Sequence, residues 1–447
     1  MLKVNKNQVI LVLYTAFLML ISFAAQNLDN TLLLSAASLP VVLAVGINAI
    51  KNQNWLFVCF TALIAEVYYV IVLWTFIIKG AESSWRVLYA VPAYNEISMR
   101  YALLSLLIIC LVYIIMLYKE SRSKYELVAE KINIGKLQLQ IFMIVYGITI
   151  LYYLVQIPFM GMRAYSEGQN TMIQSFFRVC CLMGWIILLS GEGRKSRILI
   201  FECMAGAIVV VVLSILGYRI FIVENVFMLV MLNLSKLKKI TMKTWLVLIV
   251  FVLMFYIGLI YIKAVFTNRE MSSLLFGHEK NIYYSLNAII VNMGDERLET
   301  YLSTFRNILP KAITGSTDVN TGGMLMKYID YEAYLLTGVT MGGYYLTEAY
   351  ANLGAAGIYI ISFIFGIVIS VLENERKKNP KYRQLFMCVY YGIVSQVWCI
   401  VYYGSSNYIK FLVYYIIFAF VIVMPMTISN SGKVKKYMRK CTVNRNI

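Results

Sequence analysis

ILIFECMAGAIVVVVLSILGYRIFIVENVFMLVMLN, residues 198–233, is the stretch on which the fold turns. Its first run, 198–216, carries one charge, Glu202. As a helix rising ~1.5 Å per residue it is long enough to cross a hydrocarbon core about 30 Å thick. Only Gly217 and Tyr218 separate it from Arg219, where a second apolar run begins. Two such runs with almost no loop between them are an antiparallel pair of membrane helices. A polar backbone cannot be left open in lipid, and a helix satisfies its own hydrogen bonds.

The same texture extends over the whole chain. Apolar residues make up 61 % and charged residues 14 % of 447, with a mean hydropathy of +0.73. Soluble domains run near 45–50 % apolar and 25 % charged. The composition excludes a soluble enzyme. Apolar runs predict helices near 8–25, 31–50, 54–78, 101–118, 139–158, 174–190, 198–216, 219–233, 244–264, 341–372, 384–402 and 409–428. The fold class expected is all-α, a polytopic transmembrane helix bundle of about twelve spans. No tandem repeat or Pro/Gly-rich linker divides the chain, so 1–447 reads as a single integral membrane domain. The first run has the charged lead of a signal peptide (Lys3, Lys6) without a small-residue cleavage site, and reads as an uncleaved anchor.

The net charge of +18 invites a nucleic-acid reading, but the placement of the charge argues for topology. With the N-terminus in the cytoplasm, the inner segments of the twelve spans collect 26 of the 40 basic residues. That is the lysine and arginine bias expected of cytoplasmic loops, and both termini are then cytoplasmic. The tail Lys433–Lys440 reads as an anchor facing anionic headgroups. Eight cysteines fall in apolar runs or in the tail, with no CxxC pair, and there is one histidine. Neither a disulfide framework nor a metal site is expected, and no cofactor is implied.

One segment departs from helix, short loop, helix: the large extracytoplasmic loop 265–340, with six basic and eight acidic residues. Loops this long are commonly functional or disordered. This one carries Leu298, Tyr301, Phe305, Ile308 and Leu309 at helical spacing, ending before Pro310. It predicts an outer cap of short helices.

Ionisable groups inside spans are costly and are functional candidates by default. Arg219 falls at the outer mouth of the bundle. A guanidinium fork matches phosphate oxygens and stays charged, although an arginine at a helix end also snorkels to the interface. Arg163 lies on another outer loop, where a solvated charge is the plainer reading. Arg306 and Lys311 are further cations in the long loop. Glu348, in Gly342-Gly-Tyr-Tyr-Leu-Thr-Glu348-Ala-Tyr-Ala-Asn352-Leu-Gly354, stands where the long loop re-enters the membrane. It is either a dipole partner in a first helical turn or a base for a sugar hydroxyl. Glu66, Glu202 and Glu224 sit in or near spans, as partners of polar neighbours or as groups along an ion pathway. His278 is a lone loop histidine, most simply a surface residue. Asp318, Asp330 and Glu332 flank the flexible turn Thr321-Gly-Gly323, which lacks the strand and helix of a phosphate-binding loop.

The arrangement from 217 to about 373 resembles the O-antigen or capsule repeat-unit polymerases of the Wzy type, whose relatives are the lipid-linked polysaccharide ligases. The resemblance rests on Gly217-Tyr-Arg219 opening a helix, and on one large outer loop before the last spans. It rests further on Asn307-Ile-Leu-Pro310 within that loop and on Thr347-Glu-Ala-Tyr-Ala-Asn-Leu-Gly354. It implies a membrane glycosyltransferase of the bacterial cytoplasmic (inner) membrane that uses no nucleotide sugar. Its donor is a glycan on undecaprenyl pyrophosphate and its acceptor is a carrier-linked repeat unit. A chain-length regulator and a flippase of the same pathway are implied as partners. Arg219 matches the family arginines at the outer mouth that hold the pyrophosphate, and Arg163 corresponds to an arginine on an earlier outer loop. Arg306 and His278 are glycan-binding candidates in the long loop, although His278 does not align with the histidine of ligating relatives. Glu348 would serve the acceptor.

Two other readings share the chemistry. A flippase for lipid-linked sugars should show two similar halves, short loops throughout and polar groups spread through the spans; here the long loop is single and off-centre. A polysaccharide ligase differs in its acceptor.

Overall fold

The structure is a computed structural model of the 447-residue chain. It describes residues 6–24, 28–73, 96–118, 134–159, 171–190, 196–216, 219–234, 277–306, 344–377, 383–402 and 408–423, together with scattered positions between 247 and 265, and residues 308, 324, 325, 327, 328 and 405. Among the described residues there is no strand. The chain divides into two compact units interleaved in sequence. One comprises Met1–Lys124, Thr241–Asn374 and Gln396–Lys410; the other comprises Tyr125–Ile240, Glu375–Ser395 and Phe411–Ile447.

The first unit holds α1 (Lys6–Ala24), α2 (Leu28–Lys51), α3 (Trp55–Leu73) and α4 (Glu96–Met116). α1 packs on α4 and α2, and α2 on α3 and α4. From the segment expected as an outer loop come α9 (Gly277–Asn292) and α10 (Thr300–Arg306). α9 is a finding beyond the expected short helices: it has 16 residues and packs on α3 and α4. α10 is shorter than the spacing of apolar residues suggested. Leu298 is not in the helix, because its N–H donates to Ala351 O at 2.9 Å. Pro310 lies outside the described residues. The unit also holds most of α11 (Tyr345–Lys377).

The second unit holds α5 (Lys136–Gln156), α6 (Thr171–Ser190), α7 (Arg197–Ile215) and α8 (Arg219–Leu234). It also contains the first part of α12 (Arg383–Tyr402) and most of α13 (Tyr408–Val423).

Eight of these helices are long and apolar enough to cross a membrane. Three more apolar helices, Ile173–Leu189, Ile220–Leu234 and Tyr408–Val423, are shorter. The all-helical, multi-pass membrane architecture is therefore present; these counts are of the described residues, and most of the expected span 244–264 lies outside them.

α5 shows why lipid is its solvent. Phe142, Tyr146, Ile150 and Tyr153 are buried along one stripe, while Leu137, Ile141, Ile144, Ile148 and Leu151 are exposed along the other. A water-facing helix would carry polar residues on the exposed stripe. The buried side is where the polar atoms collect. Tyr146 donates to Cys181 Sγ at 3.6 Å, and its hydroxyl lies 2.1 Å from the place a Cβ on Gly206 would occupy. Small residues permit this close approach where lipid supplies no hydrophobic drive between helices.

In the first unit the same logic gives interhelical hydroxyl pairs. Ser38 meets Tyr69 at 2.9 Å, Ser35 meets Tyr68, and Ser105 meets Ser362 at 2.6 Å. The start of α3 is capped across 317 residues. The side-chain amide of Asn54, the residue before the helix, donates to Tyr113 Oη at 2.8 Å. Glu373 of α11 accepts from Leu56 N at 2.7 Å and Phe57 N at 3.4 Å. A carboxylate at a helix N-terminus contributes about 1 kcal/mol.

Candidate functional site

Glu348 stands on the first turn of α11 and is 1 % exposed. Everything around it is closely packed: Tyr344, Leu346, Thr347, Ala349 and Ala351 show no exposure. Two pairs of residues spaced four apart, and so on one helix face each, meet there. From α11 come Glu348 and Asn352, and from α10 Thr300 and Thr304. Thr300 Oγ1 donates to Glu348 Oε1 at 2.9 Å, and Asn352 Nδ2 donates to Thr300 Oγ1 at 2.6 Å. Ser405, in the connection between α12 and α13, completes the group. Its backbone N–H donates to Glu348 Oε2 at 2.6 Å, its hydroxyl donates to Oε1, and its Oγ also lies 3.0 Å from Thr304 Oγ1. Ser285 of α9 meets Thr347 at 2.9 Å. The carboxylate therefore ties α11 to α10 and to the segment before α13. Tyr301, beside it, has its phenol pushed well above the usual range, first by burial and then by the Glu348 charge. That hydroxyl stays protonated and can only act as a neutral group.

Past Asn352 the helix breaks. Gly354 has φ 62° and ψ −153°, a conformation that is essentially glycine's alone. A Cβ there would lie 2.8 Å from Arg297 Nη2. The Arg297 guanidinium also donates to Gly294 O at 3.1 Å, so this exposed arginine fills the break from the connection between α9 and α10. Gly354→Ala should lower the stability of the detergent-solubilised protein by about 1–3 kcal/mol through backbone strain alone. It should melt earlier, and Arg297→Ala in the same chain should recover only the part caused by the collision. An unchanged melting temperature for Gly354→Ala would rule the break out as a constraint.

The second unit has a charged centre of its own. Arg178 of α6 and Glu224 of α8 are 7 % and 1 % exposed. Arg178 Nε donates to Glu224 Oε2 at 3.0 Å and Nη2 donates to Oε1. The guanidinium lies over the Phe411 ring, 4.5 Å from its centroid. Two turns along α6, Trp185 Nε1 donates to Asn225 Oδ1 at 3.0 Å.

Of the residues singled out by sequence, Glu348 is placed most fully. Arg306 is the last residue of α10 and is exposed. Arg219 is the first residue of α8 and His278 the second of α9; their side chains lie outside the described residues, as do Arg163, Lys311, Asp318, Asp330, Glu332 and the basic tail. Two of the three span carboxylates have polar partners: Glu224 pairs with Arg178, and Glu66 accepts from Tyr402 Oη at 2.6 Å. Glu202 lies against Gly147, its Oε1 3.4 Å from where a Cβ would be. Sequence reasoning passed over Arg178, Arg297, Thr300 and Ser405. Arg178 was visible, a cation inside Ser175-Phe-Phe-Arg178-Val-Cys-Cys-Leu182. The hydroxyl partners of Glu348, Thr300 and Ser405, carry no such signal, because they lie 48 and 57 residues from it in the chain.

The family model of the O-antigen polysaccharide polymerase Wzy matches residues 275–433. The match covers α9, α10, the broken helix with Glu348, and the two helices after it, and it bears out the resemblance read from the sequence. No curated protein and no solved structure matches the chain.

Proposed function

We propose that this protein polymerises glycan repeat units carried on undecaprenyl pyrophosphate, at the outer face of the bacterial cytoplasmic membrane. The observation that carries the reading is the O-antigen polymerase match over 275–433, in a chain whose apolar helices form a multi-pass membrane protein. The basic bias of the short loops favours cytoplasmic termini and twelve crossings, with 265–340 outside.

In the reaction an acceptor hydroxyl attacks the anomeric carbon of the donor glycan. The bond to the pyrophosphate oxygen breaks, the lipid pyrophosphate leaves, and the hydroxyl proton passes to a base. The barrier lies in the charge on the leaving group, which fixed cations in a partly dry site stabilise. Arg219 and Arg163 hold the pyrophosphate, and Arg306 and His278 contact the glycan. Glu348 serves the acceptor, with Thr300 and Ser405 as the hydroxyls through which protons reach its buried carboxylate.

Deletion of the gene in its host tests the reading, with surface polysaccharide resolved on a gel. The expected result is loss of long chains while single repeat units still reach the surface. Loss of every repeat unit from the outer face would make the protein a flippase. Long chains left on their lipid carrier would make it a ligase.

A further inference from the structure

Arg178 and Glu224 have no part in the chemistry proposed above, yet they form a buried charged pair in a region of lipid-facing helices. A charge there persists only where it is matched. The guanidinium faces the carboxylate two-pronged, Nε to Oε2 at 3.0 Å and Nη2 to Oε1. Phe411 of α13 covers its face at 4.5 Å. This arginine is thereby committed to a carboxylate, and a two-pronged pair fixes direction as well as distance.

The partner of that pair sits on the helix that Arg219 opens. Glu224 follows Arg219 by five residues, about 7.5 Å along the axis. Two side-chain contacts tie α8 to α6, Arg178–Glu224 and Trp185–Asn225, from positions two turns apart on α6. The Asn225 amide donates back to Phe221 O at 2.7 Å, which holds the acceptor oxygen towards Trp185. Glu224 and Asn225 are neighbours on α8 while Arg178 and Trp185 lie two turns apart on α6, so one short segment of α8 is gripped from two levels of α6 by directional contacts that resist its sliding and its rotation there.

We propose that Arg178 is a positioning residue for Arg219: its ion pair with Glu224 sets the height and azimuth of α8, and so the place from which Arg219 meets an anionic leaving group. The inference rests on the role given to Arg219 above.

A double-mutant cycle in the complemented deletion strain tests it, with long-chain yield, membrane abundance and melting temperature measured together. Arg178→Lys keeps the charge and loses the fork, and Glu224→Gln keeps the shape. Each should lower long-chain yield by about tenfold or more at wild-type abundance, since misplacement near 1 Å is enough for such losses. The exchanged pair, Arg178→Glu with Glu224→Arg, should recover part of the yield. In an Arg219→Lys background neither single change should add its full loss, because coupled residues are not additive. If Arg219→Lys alone polymerises normally, the Arg219 reading falls. If Arg219→Lys is impaired and the losses multiply in full, the positioning inference falls while that reading stands. Loss of both single variants from the membrane would likewise overturn it in favour of a pair that only holds the fold.

Discussion

Arg219→Ala, present in the membrane at wild-type abundance, leaves the host without long-chain surface polysaccharide. The expectation follows from the work assigned to the side chain. A lipid pyrophosphate leaves with its charge unneutralised unless fixed donors face it, and removal of one such donor typically costs about 10²–10³ in rate. A chain-building enzyme repeats the step for every repeat unit, so even the lower figure removes long products from a gel. Arg219→Lys keeps the charge and loses the planar two-pronged fork, and should give short chains in reduced amount. Arg219 is the first residue of α8, and the expectation holds at wild-type abundance, which is measured alongside. Normal chain length in Arg219→Ala would remove the cation from the reaction and the scheme with it.

How far the sequence carried is clearest in the pair of runs on either side of Gly217. Length and apolarity alone place α7 and α8, because a membrane helix needs nothing beyond its own backbone bonds. The Glu348 segment was also visible, since a carboxylate in a helix rich in tyrosine and small residues stands out. Its partners did not, because Thr300, Ser405 and Glu348 are joined by tertiary packing across residues 300–405. A threonine in one loop carries no mark of the glutamate it will face. Arg178 is the opposite case. It stood in plain view within an apolar run, and the rule that charges in spans are functional or paired applied to it as much as to Glu224. α9 was hidden for a third reason: Gly277–Asn292 mixes His278, Glu279 and Lys280 with Leu286, Ile289 and Ile290. Such a segment resembles loop by composition until its apolar face finds α3 and α4.

Glu348 carries the second large effect, and two substitutions separate what it holds from what it does. Glu348→Ala removes both acceptor oxygens from the Ser405 N–H and from the Thr300 and Ser405 hydroxyls. Each buried donor left unsatisfied costs about 1–3 kcal/mol, a large share of a stability of roughly 5–15 kcal/mol. This variant should be scarce in the membrane, melt early and make no polymer. Glu348→Gln can keep the knot. Its carbonyl oxygen can accept from the Ser405 N–H, which can only donate. Its amide then donates to Ser405 Oγ and Thr300 Oγ1; a hydroxyl has two lone pairs, and Asn352 uses one of those on Thr300. The fold survives, while the group that could take a proton is gone. General-base catalysis contributes about 10²–10⁴-fold, so Glu348→Gln should reach wild-type abundance and melting temperature with long-chain yield down by about 10² or more. Wild-type polymer from Glu348→Gln would leave the carboxylate as the fastening of α10 and Ser405 to the broken helix, and the acceptor's proton would have to go elsewhere.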